Sequence, residues 1–247
     1  MKAFFLGTNG WYDSPMGNTL CILIETKREC IILDAGSGLY KLDKYIKADK
    51  KSYLFLSHFH LDHIIGLHAL AKFRFKKGLK IFGPPGIKRN LNSIIAQPYS
   101  VPIKDLKMQV EVEELTQKVK FPFGLKFYPL RHSSVCYGYR FLLENKIISF
   151  ATDTGICDNL YSLANNADVL FLESSYKLGQ DDPSWPHLNP KIAASFAKQC
   201  GVKKLVLVHF DSSIYTSIKQ RRLALRIARN VFPKTFIYQD NKVVKLA

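Results

Sequence analysis

The stretch "SHFHLDHIIGL" (residues 57–67) holds three of the chain's seven histidines and an aspartate between His58 and His63. It follows "SYLFLS" (52–57), an apolar run of strand length suited to a sheet buried on both faces. Residues at strand ends in α/β proteins face the crevice where ligands bind. His58 and His60 are two apart, so in extended chain their side chains point the same way. Asp62 and His63 follow as the chain turns. Neutral imidazole and carboxylate are ligands for zinc and similar divalent ions. A polar loop using a histidine for hydrogen bonding accounts for one such residue, not for three beside an aspartate. Four ligands on one tight turn do not fit a single ion comfortably. Placing His58 and His60 on one ion and Asp62 and His63 on a neighbour is sterically easier, which points to two metals.

A two-metal centre needs further ligands from elsewhere in the chain. His132 follows the strand-like "LKFYPL" (125–130), and His209 ends "KKLVLV" (203–208). Asp153, in "ATDTG", closes "KIISFAT" (146–152). These three strand ends repeat the setting of the first cluster, and a carboxylate such as Asp153 can bridge two ions. Asp34, at the end of "ECIILD" (29–34), is expected to hold the histidine loop in place by bonding to the ligands rather than to metal. His68, inside a predicted helix, reads as a packing residue.

Around these motifs, two β-rich blocks each carry helices. The pattern predicts an α/β fold, a four-layer αββα sandwich of two mixed sheets flanked by helices, in one domain spanning residues 1–247. "IIGLHALAKF" and "NPKIAASFAKQCG" read as helices, the second with Pro near its start and Gly after its end. "ENK" (144–146) reads as a hairpin turn, and the chain ends with two short strands. No run approaches ~18 uninterrupted apolar residues, so no membrane span is expected. The N-terminus turns polar too early for a signal peptide, and a cytoplasmic protein is expected. Five scattered cysteines without a C-x-x-C read as free buried thiols.

Charge adds a substrate preference. Lys plus Arg number 36 against 20 Asp plus Glu, a net +16. Such a surplus attracts polyanions through counterion release. Lys219, Arg222, Arg226 and Arg229 recur at helical spacing as a basic stripe read as lying opposite Leu223 and Ile227. "KFRFKKGLK" (72–80) is a second basic patch with aromatics between. Each patch taken singly reads more simply as a solvated face than as a nucleic-acid grip.

His58-x-His60-x-Asp62-His63, followed in order by His132, Asp153 and His209, resembles the motif set of the metallo-β-lactamase superfamily. "FLGTNG" (5–10), "GNT" (17–19) and "LDAGSG" (33–38) resemble it too. Within that superfamily, "DVLFLESSY" (168–176) and "PHLNPKIAASFAKQCGVKKLVLVHF" (186–210) are similar to segments of the ribonuclease Z-like phosphodiesterases. The resemblance implies the αββα sandwich and two divalent ions, zinc first, with manganese or iron as alternatives. His58, His60 and His132 would hold one ion, Asp62, His63 and His209 the other, and Asp153 would bridge. Asp62 would also accept a proton from the attacking water. His187 would protonate the leaving oxygen, oriented by Glu173. The residues alone support that pair: a histidine outside the metal set, with a glutamate at a strand end, suits a general acid and its orienter.

The implied partner is a phosphodiester substrate, RNA or another nucleotide, with a homodimer by analogy. Many transfer-RNA-processing members carry a long arm between the positions of His132 and Asp153. Here those residues are 21 apart (153 − 132) and the segment reads as a simple hairpin. Two alternatives therefore stand beside the first reading. One is hydrolysis of a small cyclic phosphodiester, thioester or lactone at the same site. The other is a non-catalytic, metal-bound regulatory protein.

Overall fold

The computed structural model describes residues 1–46 and 50–246; residues 47–49 and Ala247, the last residue of the expected domain, lie outside that description. The chain divides into two compact units. The first holds residues 1–7, 18–120 and those from 240 onward, and the second holds residues 8–17 and 121–239.

The first unit is built on a seven-stranded sheet. From one edge its strands are Val243–Lys245, Lys2–Gly7, Cys21–Glu25, Glu29–Leu33, Lys51–Phe55, Leu79–Gly83 and Val110–Glu114. The first three pairings are antiparallel and the last three parallel. Parallel neighbours need a crossover. Helical segments there seat Leu39, Leu42, Ile64, Leu67 and Leu70 in one core with Leu23, Ile32, Leu54 and Ile81.

The segment predicted as one helix after His63 is a short α-turn, Leu61–Ile64, that continues as a 3₁₀-helix, Ile65–Lys72. The cause is local. Gly66 N–H donates to Ala35 O at 2.8 Å instead of to its own helix. A Cβ on Gly66 would stand 2.1 Å from Gly36 O, and one on Gly36 would stand 2.5 Å from Asp62 O. The two glycines let the "LDAGSG" loop press against the histidine-rich turn, at the expense of regular helix. His68 is exposed on this segment, with Nδ1 2.6 Å from Ile65 O, so it is not the packing residue its sequence setting predicts. In "KFRFKKGLK", Phe73 and Phe75 belong to the core, and Lys72 and Lys80 pair with Asp43 and Glu111. The aromatics there serve packing.

The second unit carries a six-stranded sheet, ordered Thr235–Ile237, Leu205–Val208, Val169–Glu173, Lys146–Ala151, Cys136–Leu143 and Gly124–Leu130. Its first three pairings are parallel and its last two antiparallel. Glu144 and Asn145 join Cys136–Leu143 to Lys146–Ala151, both with positive φ. That is the backbone a two-residue hairpin requires. Helices Asp158–Ala164, Pro190–Gln199 and Ile218–Val231 place Leu163, Ala193, Ala197, Ala224 and Ala228 in one core with Leu170, Leu172, Leu205 and Leu207. Asn189 caps the second of these through the N–H groups of Lys191 and Ile192. Ser217 and Gln220 form a capping box on the third.

On that last helix Lys219, Arg222, Arg226 and Arg229 are exposed, but Leu223 is exposed beside them at 51%. The buried face is Arg221, Ala224 and Ala228. The stripe is therefore not backed by Leu223, because the small alanines, not the leucine, allow the close approach of the core. The two C-terminal strands part company: Thr235–Ile237 joins the second unit's sheet and Val243–Lys245 edges the first. No helix among the described residues is long and apolar enough to cross a membrane.

Candidate metal centre

In the first unit the chain turns at Ser57 after the strand Lys51–Phe55. His58 and His63 are buried, and His60 and Asp62 are half-buried. Asp34, fully buried, organises the turn. Its Oδ1 accepts from Ser57 N at 2.7 Å, and its Oδ2 accepts from Ser57 Oγ at 2.9 Å. The same Oδ2 lies 2.8 Å from His63 Nδ1. Ser57 has one hydroxyl proton and gives it to Asp34. Its oxygen must therefore accept from His58 Nδ1, 2.9 Å away. Both His58 and His63 are thereby held with the proton on Nδ1 and the lone pair on Nε2, the arrangement that outer partners impose on metal-ligating histidines.

The ligand turn is already spaced for metal. His63 Nε2 stands 3.4 Å from Asp62 Oδ2. Two donors on one tetrahedral ion, each at about 2.0–2.2 Å, are roughly 3.3–3.6 Å apart. His58 also packs against both other histidines of the turn, with ring centroids 4.5 Å from His60 and 4.2 Å from His63.

In the second unit Asp153, at the end of Lys146–Ala151, presents its two carboxylate oxygens to two different histidines. Oδ1 lies 3.2 Å from His209 Nε2, and Oδ2 lies 3.8 Å from His132 Nε2. Each carboxylate oxygen thus faces a different ring. Ser175 fixes His209 by the same proton count as Ser57. Its hydroxyl donates to His209 O at 2.9 Å, so its oxygen accepts from His209 Nδ1 at 2.8 Å, leaving the lone pair on Nε2. The His209 ring lies against the backbone of Gly10, where a Cβ would come within 2.5 Å of the ring.

His187 and Glu173 meet. His187 Nδ1 is 2.8 Å from Glu173 Oε1. Glu173 is fully buried at the end of its strand and also accepts from the N–H groups of Thr154, Ser175 and Leu188. A carboxylate so fully bonded is fixed in place and fixes the imidazole in turn. His187, Asp153 and His209 each offer a donor atom within 4.8 Å of the others. His187 is therefore close enough to act on a group held beside Asp153. Tyr176, edge-on to the His187 ring at 5.3 Å, donates its hydroxyl to Trp185 O. Burial, with nearby Asp182 and Glu173, pushes its pKa up to about 12, so it remains a donor.

Three of the predicted residues, Asp34, Asp153 and His209, have φ between 46° and 56°. Left-handed backbone costs a non-glycine residue roughly 1–2 kcal/mol, and such strain gathers at functional sites. The sequence reading omitted Ser57 and Ser175, which set the tautomers of His58 and His209. The signal was slight: Ser57 precedes the histidine motif directly, and Ser175 lies two residues beyond Glu173. All five cysteines are free, and none joins the metal-capable groups of the described residues.

With this geometry in hand, the chain can be set beside known proteins. Ribonuclease Z of Methanothermobacter thermautotrophicus is 26% identical, matched over 100% of this chain and 97% of the relative. That match spans 301 positions against 247 residues, so about 54 positions (301 − 247) have no counterpart here. Among solved structures, the metallo-β-lactamase fold protein YhfI of Bacillus subtilis superposes with a TM-score of 0.81 at 22% identity, covering 98% of each chain. Human tRNase Z, short form, superposes with a TM-score of 0.78 at 22% identity, covering 100% of each. The chain thus has the metallo-β-lactamase fold, with mixed sheets flanked by helices, and its histidine–aspartate clusters within that fold indicate divalent metal binding. The family described as the beta-lactamase superfamily domain matches residues 30–210, and the chain belongs to that family.

Proposed function

We propose that residues 1–247 form one metal-dependent hydrolase domain, a phosphodiesterase acting on RNA or another nucleotide phosphodiester. The observation that carries this reading is the Glu173–His187 pair, 2.8 Å apart and beside Asp153. Phosphodiester cleavage expels an alkoxide, which needs a proton donor held at the leaving side. The relatives named ribonuclease Z point the same way.

His58, His60 and His132 would hold one ion and Asp62, His63 and His209 the other, with Asp153 a ligand shared by both. The donor chemistry fits zinc, with manganese or iron as alternatives. When bound, two such ions activate water and neutralise charge developing on the phosphoryl oxygens. The chain's own residues do the rest. Asp62 accepts the proton of the attacking water. His187 delivers a proton from Nε2 to the leaving oxygen, and Glu173 holds the ring and stabilises its charged form. Asp34, Ser57 and Ser175 keep the ligand nitrogens unprotonated.

The hairpin between His132 and Asp153 favours substrates smaller than a folded transfer RNA. It contains the strands Cys136–Leu143 and Lys146–Ala151 and a two-residue turn, with no arm. A small cyclic phosphodiester is therefore the second reading. The same proposal takes the protein as a cytoplasmic homodimer, by analogy with similar proteins, and sedimentation would check the oligomeric state. The deciding experiment is a panel with added zinc or manganese: bis(p-nitrophenyl) phosphate, 2′,3′-cyclic nucleotides, precursor transfer RNA, a thioester and a lactone. Turnover of the diesters with neglect of the thioester and lactone is expected. The reverse preference would overturn the reading.

A further inference from the structure

Trp185 is 46% exposed, less than Trp11 at 65%, and is set apart by its position rather than by its exposure. It lies in the second unit with its indole edge-on to His132, ring centroids 5.7 Å apart. His132 in turn lies 5.5 Å from the His187 ring. The exposed indole therefore borders a proposed metal ligand, which itself packs against the proposed proton donor.

The segment that presents it is held rather than loose. Trp185 N donates to Asp182 O at 3.2 Å and contacts the Asp182 carboxylate at 3.3 Å. That carboxylate also accepts from Ser184 N and Ser184 Oγ, closing a tight side-chain turn. On the other side Trp185 O accepts from the Tyr176 hydroxyl, and Tyr215 Oη donates to Tyr176 O at 2.8 Å. Pro183 and Pro186 bracket the tryptophan and fix its chain direction. Pro186 fits against Gly155, where a Cβ would come within 3.0 Å of the proline ring. A large flat side chain on a backbone held from both sides loses little further entropy when it makes a contact.

We infer that Trp185 is a substrate-binding residue that stacks on a nucleobase flanking the scissile phosphate. This rests on the phosphodiesterase reading and sharpens it: the substrate is a nucleotide recognised partly through a base, not through its phosphate alone. Stacking on an aromatic ring tolerates any base, so the contact supplies affinity and register without sequence preference.

The test compares wild type, Trp185→Phe and Trp185→Ala on three substrates: the dinucleoside phosphate ApA and two analogues, each lacking one adenine. Metal content of each preparation is measured alongside. Base–aromatic stacking is worth about 1–3 kcal/mol, so Trp185→Ala is expected to raise KM roughly 5- to 150-fold for ApA. The same rise is expected for one analogue, with the other unchanged because it already lacks the stacked base. Trp185→Phe should recover much of the loss, and kcat and metal content should hold. An equal loss on all three substrates, or none on any, overturns the stacking role while leaving the phosphodiesterase reading standing. A wild-type enzyme that cleaves none of the three overturns the stacking role, and the phosphodiesterase reading falls with it only if the diesters of the panel above are also left intact.

Discussion

Asp34 Oδ2 lies 2.8 Å from Nδ1 of His63 while the same oxygen receives the hydroxyl of Ser57, whose oxygen in turn receives His58 Nδ1. One buried carboxylate thus sets two ligand tautomers. Replacing Asp34 with alanine is expected to weaken metal affinity about 10- to 100-fold. Isothermal titration of the metal-free protein with zinc would measure it. An unchanged affinity would show that the turn orders itself without Asp34.

Metal removal separates the ligand set from the fold. Chelation should abolish hydrolysis, and reconstitution should restore it at about two ions per chain, as befits a two-metal site. Elemental analysis after desalting gives the count. A stoichiometry of one would merge the two proposed ion positions.

His187→Ala and Glu173→Gln should slow diester cleavage, by about 10²- to 10⁴-fold for the first, the usual worth of a positioned acid. Metal content should stay at the wild-type level. The neighbourhood of His187, Asp153 and His209 makes this informative, because a drop in bound metal would reassign His187 as a ligand. A leaving group needing no protonation, such as p-nitrophenolate, should recover most of the lost rate in His187→Ala.

Arg221 is 1% exposed, donates to Thr8 Oγ1 at 2.9 Å and to Asn9 Oδ1, and lies over the Phe210 ring. It ties residues 8–10 to the strand end that carries His209. Arg221→Met removes donors from two buried acceptors, a cost of about 1–3 kcal/mol. Urea unfolding should show a lower midpoint with an unchanged slope. A stability equal to wild type would mean that water replaces the guanidinium.

If RNA is the substrate, KM should rise steeply with salt, since each phosphate contact on a single strand contributes a slope of about −0.7 in log affinity against log salt. Reversing the charge of exposed Lys219 and Arg226 together tests whether the stripe takes part. A flat salt response would leave the net charge of +16 without a role in substrate capture.

The sequence by itself determined the chemistry of the site and much of the scaffold. The capacity to bind metal is a property of residue type, and "SHFHLDHIIGL" at the end of an apolar strand offers three imidazoles and a carboxylate for it. The two β-rich blocks and their flanking helices follow from the strand and helix signals; the strand order within each sheet does not. Capping at Asn189 and at Ser217 with Gln220 is written in residues two or three apart, so it too is legible locally.

Only the tertiary structure decided which nitrogen of His58, His63 and His209 carries the proton. That depends on Ser57, Asp34 and Ser175 meeting rings across separate strand ends. The helix predicted after His63 gave way to a 3₁₀ segment because Gly66 bonds to Ala35, a contact 31 positions away (66 − 35) that helical periodicity cannot register. Leu223 lies outside because its helix buries alanines, a choice set by the sheet beneath. Trp185 carries no motif at all. Its exposure beside His132 arises where a loop bracketed by prolines meets another strand end, and long-range proximity of that kind has no local signature in the chain.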